Sequence, residues 1–290
     1  MTFLKWVGGK TQLLPELNEL FPDMNKINGY IEAFLGGGSV FFYLMENFKD
    51  SLSKKKIYLS DVNPELINCY RVVRDNIDLL LPLLQKHQES HNEEYYYKIR
   101  DSYVYQLDHI ERAAAFIYIN KTCFNGLWRV NKDGKPNVPI GHKDRIEIYN
   151  NEIIKSNSLL QGVNLNVISF EKILNIKNLK EYFVFMDPPY YEVNKKGNFT
   201  GYTKDDFHLS RRILLPKVFK ELDKLGCKVM LSNSDSPIIK KEFGDFNIKL
   251  LKAKRMVNSD GKNRGYVNEV VVINYNELKR QKTIEDAWAV

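Results

Sequence analysis

Asp187-Pro188-Pro189-Tyr190 follows an apolar run, Tyr182 to Met186, and combines residue types suited to an unusual nucleophile. The exocyclic amine of adenine attacks poorly, because its lone pair is delocalised into the ring. Asp187 and the backbone carbonyl of Pro188 can each accept an amine hydrogen, which favours a pyramidal, more reactive nitrogen. The two prolines hold that carbonyl rigidly, as preorganised electrostatic catalysis requires. Tyr190 supplies a flat face on which an extruded base can stack. Asp187 need not be strongly basic, since the nitrogen's proton becomes acidic once a methyl group has been accepted. The plain alternative is a turn that merely ends a strand. Against it, ligands of open α/β sheets bind at the carboxyl ends of strands, where this motif falls.

A second constellation is Glu32-Ala33-Phe34-Leu35-Gly36-Gly37-Gly38-Ser39, between a strand-like run and a helical pattern. Glycines let a turn pass close to a ligand, and the following helix offers free N–H groups. Asp61 ends the next strand-like run, at a spacing from Gly36 that suits an acid receiving ribose hydroxyls. The glycines alone fit a ligand-free turn equally well; with Asp61, a nucleoside-containing cofactor is the better reading. At the N-terminus, Phe3-Leu4-Lys5-Trp6-Val7-Gly8-Gly9-Lys10 could set an indole beside a cation or an adenine ring. A core Trp6 and a solvated Lys10 are the bland reading. His87 and His91 stand four apart, but with no third ligand in reach a solvated helix face is expected there, and no metal.

These motifs need elements to hold them. Short apolar or β-branched runs at 30–34, 57–60, 163–168, 182–186, 227–231 and 270–273 read as buried strands. Helical patterns at 11–20, 39–48, 64–74 and 209–225 alternate with them, which predicts a doubly wound, mostly parallel sheet. The middle of the chain differs. It is helical and polar at first, with Tyr95-Tyr96-Tyr97, and ends in a turn-rich stretch. There Arg129 to Asn131 and Lys132-Asp133-Gly134 predict a basic hairpin. The division expected is an α/β domain over 1–74 and 161–290, interrupted by a mainly helical insertion over 75–160.

Composition narrows the classes. The chain has 290 residues, 43 Lys and Arg against 36 Asp and Glu, and a formal charge of +7. That charge is a weak hint of a polyanionic partner. A mean hydropathy of −0.40, with no apolar run near the roughly 20 residues that span a bilayer, predicts no membrane span. Cys69, Cys123 and Cys227 are scattered and form no CxxC pair, so neither a zinc site nor a disulfide framework is expected. No apolar signal core opens the chain, and an intracellular, cytoplasmic location is expected.

Taken in order, the motifs Lys5-Trp6-x-Gly8-Gly9-Lys10, Phe34-x-Gly36-x-Gly38-Ser39, Asp61-x-Asn63, Asn125-Gly126-Leu127-x-Arg129, Asn137-Val138-Pro139 and Asp187-Pro188-Pro189-Tyr190 resemble those of a Dam-type DNA adenine-N6 methyltransferase of class alpha. The likeness runs from Phe3 to about Tyr275. It implies a class I methyltransferase (Rossmann-like) domain and S-adenosylmethionine as methyl donor. It also implies duplex DNA as partner, with adenine in GATC the usual target. The insertion would be the target-recognition domain. Trp6, Lys10, Phe34, Gly36, Gly38, Asp61 and Asp187 would cradle the donor, with Asp187, Pro188, Pro189 and Tyr190 catalytic.

For DNA, the resemblance assigns Lys5 to the site and Arg129 to a guanine, whose O6 and N7 suit a guanidinium fork. Phe124 and Asn125 match the pair that fills the space left by a flipped adenine, where an apolar wedge offsets lost stacking. Leu127 and Pro139 match residues touching thymine methyls. Two stretches, Asn194 to Thr203 and the basic Lys252 to Arg264, are expected to order on DNA. Departures from the family pattern are Ala33, where proline is usual, and Ile140-Gly141-His142-Lys143-Asp144, where an aromatic, Gly, Arg and Tyr commonly follow. A monomer is expected, with a dimer on DNA as the alternative. Rival readings are a methyltransferase for RNA or protein amides, a silent DNA-binding protein, and a nicotinamide-dependent oxidoreductase. The last of these has no use for Asp187-Pro188-Pro189-Tyr190.

Overall fold

A computed structural model describes residues 2–102, 107–141, 146–149, 151–190, 209–254 and 266–276. The expected loop at 194–203, most of the basic stretch 252–264, His142-Lys143-Asp144 and the tail from 277 lie outside the described residues. The strands are β1 Gly29–Glu32, β2 Lys56–Asp61, β3 Asn164–Val167, β4 Tyr182–Met186, β5 Lys228–Ser234, β6 Asn247–Lys254 and β7 Tyr266–Ile273. The helices are α1 Leu14–Leu20, α2 Ser39–Asn47, α3 Lys49–Leu52, α4 Pro64–Asp75, α5 Ile77–Glu89, α6 Glu93–Ser102, α7 His109–Thr122, α8 Asn151–Leu160, α9 Leu209–Lys224 and α10 Pro237–Glu242.

The strands form one sheet in the order β3-β2-β1-β4-β5-β7-β6. Every pairing from β3 across to β5 is parallel, while β7 runs antiparallel to both β5 and β6. The chain thus winds outward from β1 through β2 to β3, then returns to β4 and winds the other way. The reversal opens a crevice at the carboxyl ends of β1 and β4, the place where open α/β sheets hold ligands. β1 and β4 are buried along their whole length, as parallel strands covered on both faces must be.

Each face carries its own core. Phe183, Phe185, Tyr30, Leu59 and Met230 point to one side, and buried residues of the central helices, such as Leu80, Leu84, Tyr96 and Ala113 to Ile119, join them. Ile31, Val184, Met186, Leu231 and Val272 point to the other, against Leu215, Phe219 and Phe170. The expected strands and helices are all present, most within a few residues of the expected ends. β6 was not foreseen, and it takes in the start of the basic stretch at Lys252 to Lys254. Lysines interrupt its apolar residues, so the sequence lacks the apolar run of an interior strand, and it lies at the sheet's edge.

Candidate active site

The register sets three carboxylates at one rim. Glu32 of β1 pairs with Leu59 of β2 on one side and Phe185 of β4 on the other. Asp61 and Asp187 each stand two residues further along their strands, so all three side chains share one face. The glycine turn after β1 is tied down by Leu35 N–H to the Ser60 carbonyl (2.9 Å) and Gly36 N–H to Asp61 Oδ2 (3.0 Å). Asp61 Oδ1 accepts from Asn63 N–H at 2.9 Å, which fixes the carboxylate where β2 ends. Gly36 has φ +47°, and a Cβ there would sit 2.7 Å from Trp6 Cδ1. The indole occupies the space a side chain would need, so glycine is required for both reasons.

Lys10 is not the solvated lysine of the bland reading. It is 3% exposed, its N–H donates to Ser39 Oγ (3.0 Å) at the start of α2, and its ammonium donates to the Gly8 carbonyl (2.8 Å). The ammonium lies 3.0 Å from Asp187 Oδ2, 3.6 Å from Glu269 Oε2 and 4.7 Å from the centre of the Tyr190 ring. Tyr190 donates its hydroxyl to Glu269 Oε2 at 2.5 Å, with Ser232 Oγ 3.1 Å away. The other oxygen of Asp187, Oδ1, is buried with no hydrogen-bond partner among the described residues. A buried acceptor left open costs free energy, and such an atom at a crevice is poised for a donor from a ligand.

Burial dominates the electrostatics. It pushes Asp187 up to about 6; Lys10 opposes the rise and Glu269 adds to it. Burial lifts Glu32 to about 8 against the Tyr30 hydroxyl bond (2.8 Å), with Asp187 and Asp61 contributing like charge. Asp61 is raised by burial, opposed by its backbone N–H donors. At neutral pH Glu32 is therefore a neutral acid and Asp187 a carboxylate. Because Glu32 is raised in the fold, it stabilises at low pH and loses that contribution as pH climbs from the ordinary carboxylate range to about 8. Glu32→Gln, which mimics the neutral acid, should flatten the pH dependence of urea unfolding between pH 5 and 8 by roughly 1 kcal/mol per pH unit. An unchanged slope would show that Glu32 is ionised in the fold.

The central segment meets this site through Asn120. That fully buried side chain of α7 accepts from Lys5 N–H (2.9 Å), donates to the Lys5 carbonyl (2.7 Å) and reaches the Gly126 carbonyl (3.4 Å). Trp6 stacks beside Phe116, which packs on Trp128 at 4.1 Å between ring centres. Glycine turn, N-terminal segment and the loop at 124–126 are thus one connected body. Phe124 is 48% exposed at the tip of that loop, and Asn125 takes φ +57° to make the turn. The hairpin forms as expected, with Val130 bridged to Pro136 and Asn131 N–H bonded to the Lys135 carbonyl (2.8 Å). Arg129 is exposed on it, its guanidinium held by Asn137 Oδ1 (2.7 Å) and the Asn137 carbonyl (3.1 Å).

Trp6, Lys10, Gly36, Gly38, Asp61, Asp187 and Tyr190 therefore converge on the turns at the rim, while Phe34 stacks on Phe170 at 5.2 Å with the opposite core. Of the two residues matched to thymine methyls, Pro139 is exposed and Leu127 is buried in the core at 8%. The solvated face expected at His87 and His91 needs correcting. His87 is buried, bonded to the Tyr95 hydroxyl (2.9 Å) and stacked on Tyr118, and burial lowers it to about 4. The aromatic run Tyr95-Tyr96-Tyr97 makes that face apolar. Sequence reasoning missed Glu32 and Glu269 as site residues. The signal was present in both, an acid inside an apolar strand.

A mostly parallel sheet whose switch point joins a glycine turn to an Asp-Pro-Pro-Tyr turn has the architecture of a class I methyltransferase. A family model for D12 class N6 adenine-specific DNA methyltransferase matches residues 6–257, and the chain belongs to that family of enzymes. It is 41% identical over 289 residues to the Type II methyltransferase M.MjaIII of Methanocaldococcus jannaschii, covering 94% of this chain and 98% of the relative. It is 38% identical to the Type II methyltransferase M1.LlaDCHI of Lactococcus lactis subsp. cremoris, covering 94% and 95%. It is 30% identical to a DNA adenine methylase of Haemophilus influenzae, covering 93% and 92%. Among the described residues no helix is long and apolar enough to cross a membrane, and no group of His, Cys, Asp and Glu could hold a metal ion.

Proposed function

We propose that this enzyme methylates N6 of an adenine swung out of duplex DNA at a GATC site, with S-adenosylmethionine as donor, acting in the cytoplasm. The observation that carries the reading is the open, buried Oδ1 of Asp187 at the switch point of the sheet. The residues present fit a nucleoside-bearing donor. The Asp61 carboxylate is fixed by two backbone N–H groups with lone pairs left for ribose hydroxyls, and Trp6 lines a turn that a Cβ would fill. When bound, the donor would supply an electrophilic methyl group on a sulfonium. Asp187 and Pro188 orient the amine, Tyr190 stacks the base, and the Asp187 carboxylate takes up the amine's proton.

The segment 75–160 serves as target-recognition domain in this reading. Phe124 and Asn125 enter the space left by the adenine, Arg129 reads a guanine, and Pro139 meets a thymine methyl. Lys5, Lys132 and Lys135 contact phosphates. The names of the relatives at 41% and 38% identity support a place in a restriction–modification pair. Tritium transfer from labelled donor to a GATC duplex, set against the same duplex with GATC scrambled, tests the reading. Equal or absent transfer to the two would sink it. The plot of log affinity for DNA against log salt should slope at about −3, as expected for three phosphate contacts releasing counterions. A flat response would mean that the basic residues serve solubility alone.

A further inference from the structure

Glu269 lies on β7, outside every motif that carries the chemistry, yet its carboxylate closes the catalytic turn. It is 15% exposed and accepts the Tyr190 hydroxyl at 2.5 Å, a charge-assisted bond stronger than a neutral one. The same oxygen is 3.6 Å from the Lys10 ammonium and 3.5 Å from Ser232 Oγ. Lys10 in turn holds Asp187 Oδ2 and lies over the Tyr190 ring. Without Glu269 the tyrosine hydroxyl would lose its nearest acceptor among the described residues, and one of the two carboxylates that draw Lys10 would be gone. A ring that stacks a base is useful only if its plane is fixed, and an acceptor only if its open oxygen faces the amine.

We infer that Glu269 is a positioning residue for methyl transfer: through the Tyr190 hydroxyl and the Lys10 ammonium it fixes the ring that stacks the base and the carboxylate that meets the amine. This rests on the reading of Asp187 to Tyr190 as the amine site. The groups facing Asp187 are Lys10 from the N-terminal turn, Glu269 from β7, Glu32 from β1 and Tyr190 on its own loop, with Asp61 of β2 beyond Glu32. Of these, Lys10 and the Tyr190 hydroxyl favour the carboxylate, and Glu269 raises its proton affinity.

Glu269→Gln keeps the shape and removes the charge. Single-turnover transfer to the GATC duplex should fall about ten- to a hundred-fold, with donor and DNA affinity within about threefold of wild type. The acid limb of the pH profile should move to lower pH, because an anion that lifts Asp187 is gone. Glu269→Asp keeps the charge but shortens the reach. It should restore the acid limb while the rate stays low. A wild-type rate or an unmoved acid limb in Glu269→Gln overturns the inference, as a purely structural role would move neither without lowering the melting temperature. Should Glu269→Gln fail to fold, Tyr190→Phe reads the same bond from its other end. A rate loss of about ten-fold or more is expected there, and full activity overturns the inference. The wild type in the same assay keeps the two ideas apart. Its failure to methylate adenine sinks the reading of the pocket and this inference with it, whereas normal wild-type transfer that Glu269→Gln leaves intact sinks the role of Glu269 alone.

Discussion

Asp187→Ala should lower methyl transfer by about a thousand-fold while leaving affinity for the donor within about threefold. The substitution removes both functions of the side chain, acceptance of the amine hydrogen at the buried Oδ1 and uptake of the proton after the methyl has moved. The fold should survive. Lys10 keeps Glu269 at 3.6 Å and the Gly8 carbonyl at 2.8 Å, so no cation is stranded. Radiolabelled single-turnover kinetics measures the first effect and calorimetric titration of the donor the second. Asp187→Asn separates charge from shape. The wild-type rate should rise with pH through about 6, because burial lifts the carboxyl there and only the carboxylate can both accept the amine hydrogen and take up the proton. The asparagine variant has nothing to titrate, so its residual rate should be flat across that range. A wild-type acid limb that persists in Asp187→Asn would assign the titration to another group and sink the role given to Asp187.

Much of this site was legible in the chain because its parts lie at strand ends. A strand that must be buried on both faces reads as an apolar run, and the residue that ends it reads as a rim residue. That logic puts Asp61 and Asp187 at the carboxyl edge. The interrupted order of the runs also implies that one α/β domain is split by an insertion. The parallel register then brings Asp61, Glu32 and Asp187 to one face, which spacing along the chain does not reveal. Glu269 is the clearest case. It stands 82 residues beyond Asp187 in sequence and reaches it only because β7 inserts antiparallel between β5 and β6. An acid beside an apolar run marks Glu269 as unusual, but the antiparallel insertion that brings it to Asp187 is a tertiary event with no local pattern.

His87 shows a different limit. Its neighbours in sequence are polar, but its neighbours in space are Tyr95 and Tyr118, and only the packing of α5 on α7 sets one against the other. Leu127 and Asn120 make the same point within the central segment. Leu127 falls in a turn-rich stretch yet is buried, and Asn120, a polar residue at the end of an apolar run, is fully buried because the backbone of Lys5 takes both ends of its amide. That contact also explains why the family's N-terminal and central motifs belong together. The backbone of Lys5 and the loop that carries Phe124 share one asparagine.

The second large effect is expected at Lys10. Its ammonium is the cation the described structure sets against Asp187 and Glu269, and Lys10→Met keeps the length of the side chain while removing that charge. Breaking a buried ion pair from one side leaves the other side desolvated and uncompensated, and typically costs about 3–5 kcal/mol. The partial exposure of Asp187 (18%) and Glu269 (15%) places the expected loss near the lower end, about 3 kcal/mol. The loss should depend on pH in a definite sense. Asp187 is already raised to about 6 with the lysine present, and without it the carboxyl must rise further. A group raised in the folded state stabilises at low pH and loses that contribution as pH rises. The deficit of Lys10→Met relative to wild type should therefore be largest at pH 8 and shrink at pH 5.5, where protonation removes the repulsion. Adding Glu269→Gln should recover about 1 kcal/mol or more at pH 8, since the two substitutions touch one network and cannot be additive. Urea unfolding of the two single variants and the double variant at both pH values measures these differences. A deficit equal at pH 5.5 and 8, or a double variant whose loss is the sum of the singles, would show that Lys10 acts by packing and not as the counter-charge that keeps two carboxylates at one site.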